Sequence, residues 1–280
     1  MTFSVLTNVA SLNAQRNLAT TQSSLSASIG RLSSGLRINS ASDDAAGLGI
    51  SESLKASIRS IGQAQRNTND AISMSQVAEG AMNEMQGIVS RMRELSVQAA
   101  NSTLGANERG YIHTEFKSLS SEIDRISSVT NFNNQKLLDG SASTGLTFQV
   151  GIQNSTNDRL SMSITKLTAS TLGSTLKVSA ATLSTVAGAQ AAMGVFDKAI
   201  QQLSQARAKV GATQNRMQVT ISNLATSHEN LSAANSRIRD VDVASETAQL
   251  TKSQILSQAG LAVLAQANQL PQSALSLLRG

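Results

Sequence analysis

An apolar residue stands at every seventh position along much of the C-terminal half of the chain. The series consists of Phe196, Leu203, Val210, Met217, Leu224, Leu231 and Ile238. The complementary series begins at Ile200 but continues with Arg207 and Gln214 and is mostly polar. One sustained apolar seam predicts a long helix packed along another long helix, and polar residues in the second series fix the register of such a pair.

The partner of that helix is predicted in the N-terminal half, from Ala45 to about Ala100, where apolar residues recur in steps of three and four. Its predicted core positions are Met85, Ile88, Met92 and Leu95. At about 1.5 Å per residue this helix would be roughly 85 Å long. Pro271 is the only proline in the chain, so little interrupts long helices.

Between the two long helices the sequence predicts a shorter helix and a β-hairpin. Ile112, Phe116 and Ile126 recur at helical spacing, whereas residues 146–164 alternate between apolar and polar on both sides of a polar turn. Residues 168–194 are small and have no clear pattern, so no structure is predicted there. The fold class is therefore mainly α: an elongated antiparallel helical bundle, or coiled-coil rod, of long N- and C-terminal helices with a small β-hairpin region.

The pattern at both ends of the chain predicts helices whose apolar residues have few other residues to pack against. A first helix is predicted from Ser11 to Leu36, and Asp43 and Asp44 follow where the N-terminal dipole of the next helix favours negative charge. The apolar positions predicted to form an assembly seam at the two ends are Leu18, Leu25, Ile29, Leu32, Leu36, Ile255, Leu264, Leu270 and Leu277. Such narrow seams require another helix, so we expect the ends to associate with each other and then with other copies.

The composition argues against several classes of function. The chain has no cysteine and only 2% aromatic residues, which excludes disulfides and weakens the case for nucleic-acid binding by base stacking. No apolar stretch is long enough for membrane insertion. His113 and His228 are the only histidines, and no hydrolase, zinc-protease or P-loop motif is present. We therefore predict no enzymatic activity, no cofactor and no metal.

Six segments, in order along the chain, resemble those of bacterial flagellins. They are NVASLNAQRNL (8–18), RLSSGLRINSASDDAAGLGIS (31–51), RMRELSVQAANST (91–103), FNNQKLLDG (132–140), ISNLATSHENLSAANSRIRDVDVASE (221–246) and QILSQAGLAVLAQANQLPQSALSLLR (254–279). The resemblance covers all but roughly residues 141–190. It implies a short flagellin that lacks the large outer-domain insertions found in many members of the family.

The resemblance implies a structural subunit that self-assembles into the flagellar filament for motility. Residues 1–44 and 236–280 would form a discontinuous inner domain that folds on assembly, and residues 45–235 the rod domain with its hairpin. The implied location is extracellular, in the bacterial flagellum, after export by the flagellar type III apparatus without a cleaved signal peptide.

The same resemblance implies a set of partners. These are other copies of the chain, the export apparatus, a secretion chaperone that binds Leu250 to Leu278, and the cap and junction proteins of the filament. Arg91, Leu95 and Glu115 occupy positions that contact Toll-like receptor 5 in recognised flagellins. Two alternatives stay open: a hook–filament junction protein of the flagellum and, in a different class, a secreted coiled-coil effector.

Overall fold

The computed structural model describes residues 7–173 and 176–279, with side chains described up to residue 269. The described chain is mostly helical, as predicted. Its five α-helices are α1 (Val9–Ser34), α2 (Ala45–Ala99), α3 (Ala106–Val129), α4 (Val186–Arg239) and α5 (Val243–Arg279). Four short strands lie between α3 and α4: β1 (Asn131–Phe132), β2 (Gln135–Lys136), β3 (Leu146–Gln149) and β4 (Arg159–Met162).

The chain divides into two compact units. The terminal unit comprises residues 1–58 and 229–280, and the central unit comprises residues 59–228. The predicted boundaries at residues 44 and 236 concern which segments fold on assembly, and they stay a prediction.

In the central unit, α2 and α4 pack antiparallel. Arg93 Nε lies 2.6 Å from a carboxylate oxygen of Asp197, and Arg207 Nη1 lies 2.8 Å from the amide oxygen of Gln86. Residue numbers thus rise along one helix as they fall along the other. The seam between them holds the first four residues of the heptad series, which are at most 1% exposed: Phe196, Leu203, Val210 and Met217. From α2 the buried side chains include Met85, Met92 and Leu95, while Ile88 is half-buried.

The later heptad residues are less covered than the sequence pattern suggests. Leu224 is half-buried in the central unit, and Leu231 and Ile238 are half-buried in the terminal unit. The difference arises because helix α3 and the strands pack over the earlier heptads as a further layer. Where only two helices pack together, one side of the seam between them stays open to solvent.

The segment for which no structure was predicted is packed into the core. Leu172, Val178 and Leu183 are each at most 1% exposed. Gly173 has φ of +110°, and a Cβ there would come within 2.8 Å of both the Leu176 carbonyl oxygen and a methyl group of Val195. Only glycine fits this close approach without strain.

The predicted β-hairpin is confirmed. Strands β3 and β4 pair antiparallel with Leu146 opposite Met162 and Gln149 opposite Arg159, and the Asp158 carbonyl accepts the N–H groups that follow β3, those of Val150 and Gly151. A second, smaller hairpin joins β1 to β2 through Asn133 and Asn134, both with positive φ. Two consecutive asparagines suit that two-residue turn because they tolerate the left-handed conformation.

In the terminal unit, residues 35–44 connect α1 to α2. Gly35 ends α1 in the left-handed conformation with φ of +71°, a frequent helix terminator. Arg37 Nη2 then donates to the Ile238 carbonyl at 2.7 Å. Asp44 accepts a hydrogen bond from the Gly47 N–H at 2.8 Å, which caps α2 and places this carboxylate at the N-terminus of the helix. Among the described residues, no helix is long and apolar enough to cross a membrane.

Candidate assembly surface

Helices α1 and α5 of the terminal unit form an antiparallel two-helix coiled coil. On each helix, buried or half-buried residues recur in alternating steps of three and four, which is the heptad spacing. We call these residues the seam. On α1 they are Ser11, Ala14, Leu18, Thr21, Leu25, Ser28 and Leu32, and on α5 they are Glu246, Leu250, Ser253, Ser257, Gly260, Leu264 and Ala267.

The seam is built largely from small residues. Ser28 and Ser253 are only 3% and 2% exposed, and a Cβ added to Gly260 would lie 3.3 Å from a methyl carbon of Leu18. Small residues let the two backbones approach closely but bury little apolar area. Since burial is worth about 25 cal/mol per Å² of apolar surface, this helix pair gains little stability from its own seam.

The seam differs in three places from the one predicted. Leu18, Leu25, Leu32 and Leu264 lie in it, half-buried. Ile29 and Ile255 are exposed instead. The three–four spacing of the seam passes through Ser28 on α1 and Ser253 on α5, so that both isoleucines point away from the partner helix. Leu36 follows α1 and pairs with Asp240 through an isolated β-bridge. The side chains of Leu270 and Leu277 lie outside the described residues.

Polar contacts close both ends of the seam. At one end, Asn8 Nδ2 donates to the Ala267 carbonyl at 2.7 Å. At the other, the guanidinium of Arg31 lies 3.7 Å from Asp43 and 3.8 Å from Glu246. Hydrogen bonds from the backbone and hydroxyl of Ser40 and from the Asn39 backbone hold the pKa of Asp43 below its usual value, with a smaller contribution from Arg31.

The large apolar side chains of the terminal unit lie mainly outside the seam. Ile255, Leu256 and Val263 on α5 are 60%, 49% and 58% exposed. We call these three residues the outer face; they share one side of α5 because 255 and 263 are separated by eight residues, just over two helical turns. Val9 and Leu12 on α1 are exposed to a similar degree.

This exposure is concentrated in the terminal unit. Nine of the sixteen exposed large apolar side chains in the described part of the chain belong to it, although it is the smaller of the two units. Single exposed apolar residues need no explanation, but a concentration on one helix pair marks a surface that contacts another molecule. Between residues 247 and 269, helix α5 has one charged residue, Lys252.

Of the three residues predicted to contact an innate receptor, two lie on the surface and one does not. Arg91 on α2 pairs with Glu115 on α3 at 3.0 Å and with Glu94 at 3.1 Å. The hydrogen bonds that Arg91 donates to these carboxylates, the bond to Glu115 first, raise the pKa of Arg91. Leu95 is 1% exposed and lies in the core, so the structure does not support a direct contact through its side chain.

The described residues offer no arrangement typical of catalysis. They contain no group of three or more His, Asp or Glu side chains that could hold a metal ion. A cleft of about 590 Å³ between the β3–β4 loop and α4 is lined by Leu160, Val219 and Leu224, with Asp158 and Arg216 as its charged groups.

Comparisons with known proteins identify the family. A family model described as the bacterial flagellin N-terminal helical region matches residues 5–143, and one described as the C-terminal helical region matches residues 193–278. A flagellin from Halalkalibacterium halodurans is 44% identical over 272 residues, covering 97% of this chain and 98% of that protein. The flagellar filament 33 kDa core protein of Treponema phagedenis is 42% identical over 283 residues, with the same two coverages of 97% and 98%.

A solved structure shows the fold in a related context. A protein assigned as a flagellar hook-associated protein from Vibrio parahaemolyticus aligns with a TM-score of 0.59 at 14% identity, covering 71% of this chain and 100% of that chain. At this identity the likeness concerns the fold alone. Since the two family models match most of the chain and relatives up to 44% identical span nearly all of it, the chain belongs to the bacterial flagellin family.

Proposed function

We propose that this chain is a structural subunit of the bacterial flagellar filament and polymerises through the exposed apolar faces of α1 and α5. Membership of the flagellin family supports the filament. The surface is inferred from the outward position of Ile255, Leu256 and Val263 on a helix pair whose own seam consists largely of small residues. The family is structural, and the proposed role is not enzymatic.

The outer face is large enough to stabilise contacts between subunits. Complete burial of one such side chain is worth about 1.5–3 kcal/mol, so covering the exposed half of each of the three contributes about 1 kcal/mol per residue. Val9 and Leu12 on α1 add similar amounts. A filament repeats the contact at every subunit, so modest energies per copy suffice for a long polymer.

Folding of the ends is coupled to assembly in this proposal. Residues 1–44 and 236–280 form the inner domain, and residues 45–235 form the rod domain with its hairpin. A two-helix coiled coil whose seam holds more small residues than leucines is marginal in water. Packing of neighbouring copies on the outer face supplies the stability that the seam lacks.

Several partners follow from the family and are part of the proposal. They are the export apparatus, a secretion chaperone that binds Leu250 to Leu278, and the cap and junction proteins. Export without a cleaved signal and an extracellular location belong to the same proposal. Recognition by Toll-like receptor 5 is supported by the exposed pair Arg91–Glu115. Leu95 is buried, so its role would be to pack in the core and hold helix α2 in place beneath that pair.

The rival within the flagellum is a hook–filament junction protein. The fold does not separate the two, because a hook-associated protein shares it. The 44% identity to a flagellin over nearly the whole chain favours the filament subunit. A secreted coiled-coil effector has no such support.

The test is seeded polymerisation of the purified monomer, followed by light scattering and electron microscopy. The full chain is expected to form long tubes, and a chain lacking residues 1–40 and 251–280 is expected to form none. Full-length protein that stays monomeric or stops at short rings would favour the junction protein.

Point variants test the surface itself. Ile255→Glu and Val263→Glu each place a charge on the outer face and are expected to stop polymerisation while the monomer keeps its helical content. Gln258→Glu is the matched control, since it adds the same charge to the same helix at an exposed position without removing an apolar group. Normal growth of Ile255→Glu and Val263→Glu would exclude this face as the subunit contact.

Leu32 and Leu264 are less informative targets. Both are half-buried in the seam between α1 and α5, so a charge there would separate the helix pair before any subunit contact is tested. Variants of these residues should lose polymerisation together with helical content in the terminal unit.

A further inference from the structure

A strap of chain lies across helix α3 in the central unit and is held there by two side chains of that helix. We define the strap as residues 176–185. Its Leu183 N–H donates to Nδ1 of His113 at 3.3 Å, and its Ser179 carbonyl accepts from Nζ of Lys117 at 3.4 Å. The apolar strap residues Val178 and Leu183 are fully buried, so the strap is part of the cover of the core.

The bond to His113 requires a neutral imidazole. Nδ1 accepts a hydrogen only when it carries no proton, so the proton of the neutral ring must be on Nε2. Protonation converts Nδ1 into a donor that faces the Leu183 N–H, which is also a donor. The contact then becomes repulsive, and the buried amide of Leu183 loses its acceptor, which is costly in an apolar environment.

The surroundings of His113 disfavour the charged ring. Partial burial lowers its pKa, and the positive charge of Lys117 lowers it further. The ring stacks on Phe116 with the centroids 5.7 Å apart. Phe116 in turn contacts Phe196 of α4, with 5.8 Å between ring centroids.

No acidic group in the packed elements offsets this effect. The strap carries Lys177 as its one titratable side chain, and α4 has none before Asp197, which pairs with Arg93. On α3, Glu115 pairs with Arg91. Arg109 of the same helix donates to the Ala99 carbonyl at the end of α2 and to the Asn101 carbonyl just beyond it.

We propose that His113 is a pH-sensitive latch: the neutral imidazole holds the strap closed over the core, and protonation releases it. Opening uncovers Val178 and Leu183 together with the aromatic pair beneath them, and so creates an apolar patch on the central unit in acid. This inference is independent of the assembly role of α1 and α5.

The sign and the ceiling of the effect follow from linkage. Because the closed state binds the proton more weakly than the open state, the stabilisation is fully present above the ordinary pKa of 6.5 and is lost as the pH falls below it. At pH 5 an open-state histidine with that ordinary pKa is almost fully protonated, so the opening constant rises by at most about 30-fold relative to pH 7.5.

The experiment is amide hydrogen exchange of the full chain between pH 7.5 and 5, corrected for the intrinsic pH dependence of exchange. Protection of Leu183 is expected to fall by a factor of up to about 30 in the wild type. His113→Asn keeps an acceptor oxygen at the position of Nδ1 but does not titrate, and its Leu183 protection should not depend on pH. His228→Asn is the matched control, since it removes the only other histidine, and it should behave as the wild type.

Each outcome decides the proposal. Weak protection of Leu183 at every pH in His113→Asn would also support the proposal, because removing the imidazole would then have removed the pH dependence. Protection in the wild type that is constant to within about twofold over this range would overturn it. The same holds if His113→Asn keeps the pH dependence, or if a proton NMR titration places the pKa of His113 at or above its ordinary value.

Discussion

The glycine in the seam allows a quantitative test of how tightly α1 and α5 pack. Gly260 lies inside α5 and faces α1, and an added Cβ would come within 3.3 Å of a methyl carbon of Leu18. That distance is a few tenths of an ångström shorter than ordinary contact. Leu18 is only half-buried, and the atom concerned is the end of a flexible side chain, so Leu18 can move aside.

The expected effect of Gly260→Ala is a small gain in stability. Replacing glycine by alanine inside a helix gains about 1 kcal/mol from backbone entropy and helix propensity. Moving Leu18 to a neighbouring side-chain geometry costs about 0.5 kcal/mol. The difference predicts that Gly260→Ala stabilises the helix pair by about 0.5 kcal/mol.

Gly30→Ala on α1 is the matched control. Gly30 also lies within a helix of the terminal unit, but an added Cβ there meets nothing within 4 Å, so the full gain of about 1 kcal/mol is expected. Native-state hydrogen exchange measures local unfolding free energies, here for amides in the middle of α1 and α5. The difference in local unfolding free energy between the two variants measures the cost of the contact with Leu18.

Two results would refute the reasoning. A loss of more than about 1 kcal/mol in Gly260→Ala would mean that Leu18 cannot move and that the seam is packed like a core. No change in either variant would mean that α1 and α5 are not helical in the monomer, so that the gain predicted for the isolated helix pair is absent and these helices fold only on assembly.

Two further substitutions test the central unit and the connection to α2. Phe196→Ala removes a fully buried ring from the α2–α4 seam and should lower the unfolding free energy, measured by denaturant titration, by about 3–5 kcal/mol. Leu224→Ala, at a half-buried site, should lower it clearly less. Equal losses would contradict the conclusion that the later heptads are covered less than the earlier ones. Gly47→Ala would place a Cβ 2.4 Å from a carboxylate oxygen of Asp44 and 2.7 Å from a methyl carbon of Ile38. Loss of that cap should destabilise the first turn of α2 by about 0.5–2 kcal/mol, and unchanged amide protection in that turn would show that the cap contributes nothing.

The helices and the larger hairpin could be predicted because their signals are local. The heptad series predicted the long helix α4, and the alternation around residues 146–164 predicted the pairing of β3 with β4. Each of these patterns is set by which face of an element is buried, so the period appears in the sequence itself.

The strap and the segment before it could not be predicted because their contacts are long-range. The Ala169 N–H donates to the carboxylate of Asp124 at 2.8 Å. The side chain of Gln202 bonds both backbone groups of Gly173, at 2.9 and 3.0 Å. Side chains of helices α3 and α4 thus supply the hydrogen-bond partners that the backbone of a strand would find in a sheet. These partners are distant in sequence, so the segment itself has no periodic pattern from which they could be predicted.

At the candidate surface the sequence pointed to helices α1 and α5 but could not separate two kinds of burial. A leucine that packs inside the chain and an isoleucine that is proposed to pack on another copy give the same apolar signal. The serines of the seam, Ser28 and Ser253, are nearly inaccessible, yet serine is abundant and reads as a surface residue. Only the heptad register, traced through small residues as well as large ones, would have placed Ile255 outside the seam.

This arrangement of large and small residues is what distinguishes a helix pair made for assembly from one made for independent stability. If Ile255 and Val263 occupied seam positions and Ser253 and Gly260 the outside, the pair would bury more apolar surface by itself and offer neighbours little. The observed order is the reverse. Much of the apolar area that would stabilise α1 and α5 in isolation lies on the outer face instead. In the proposed assembly this area contributes only when other copies cover it, so that folding of these helices and growth of the polymer would depend on the same burial of apolar surface.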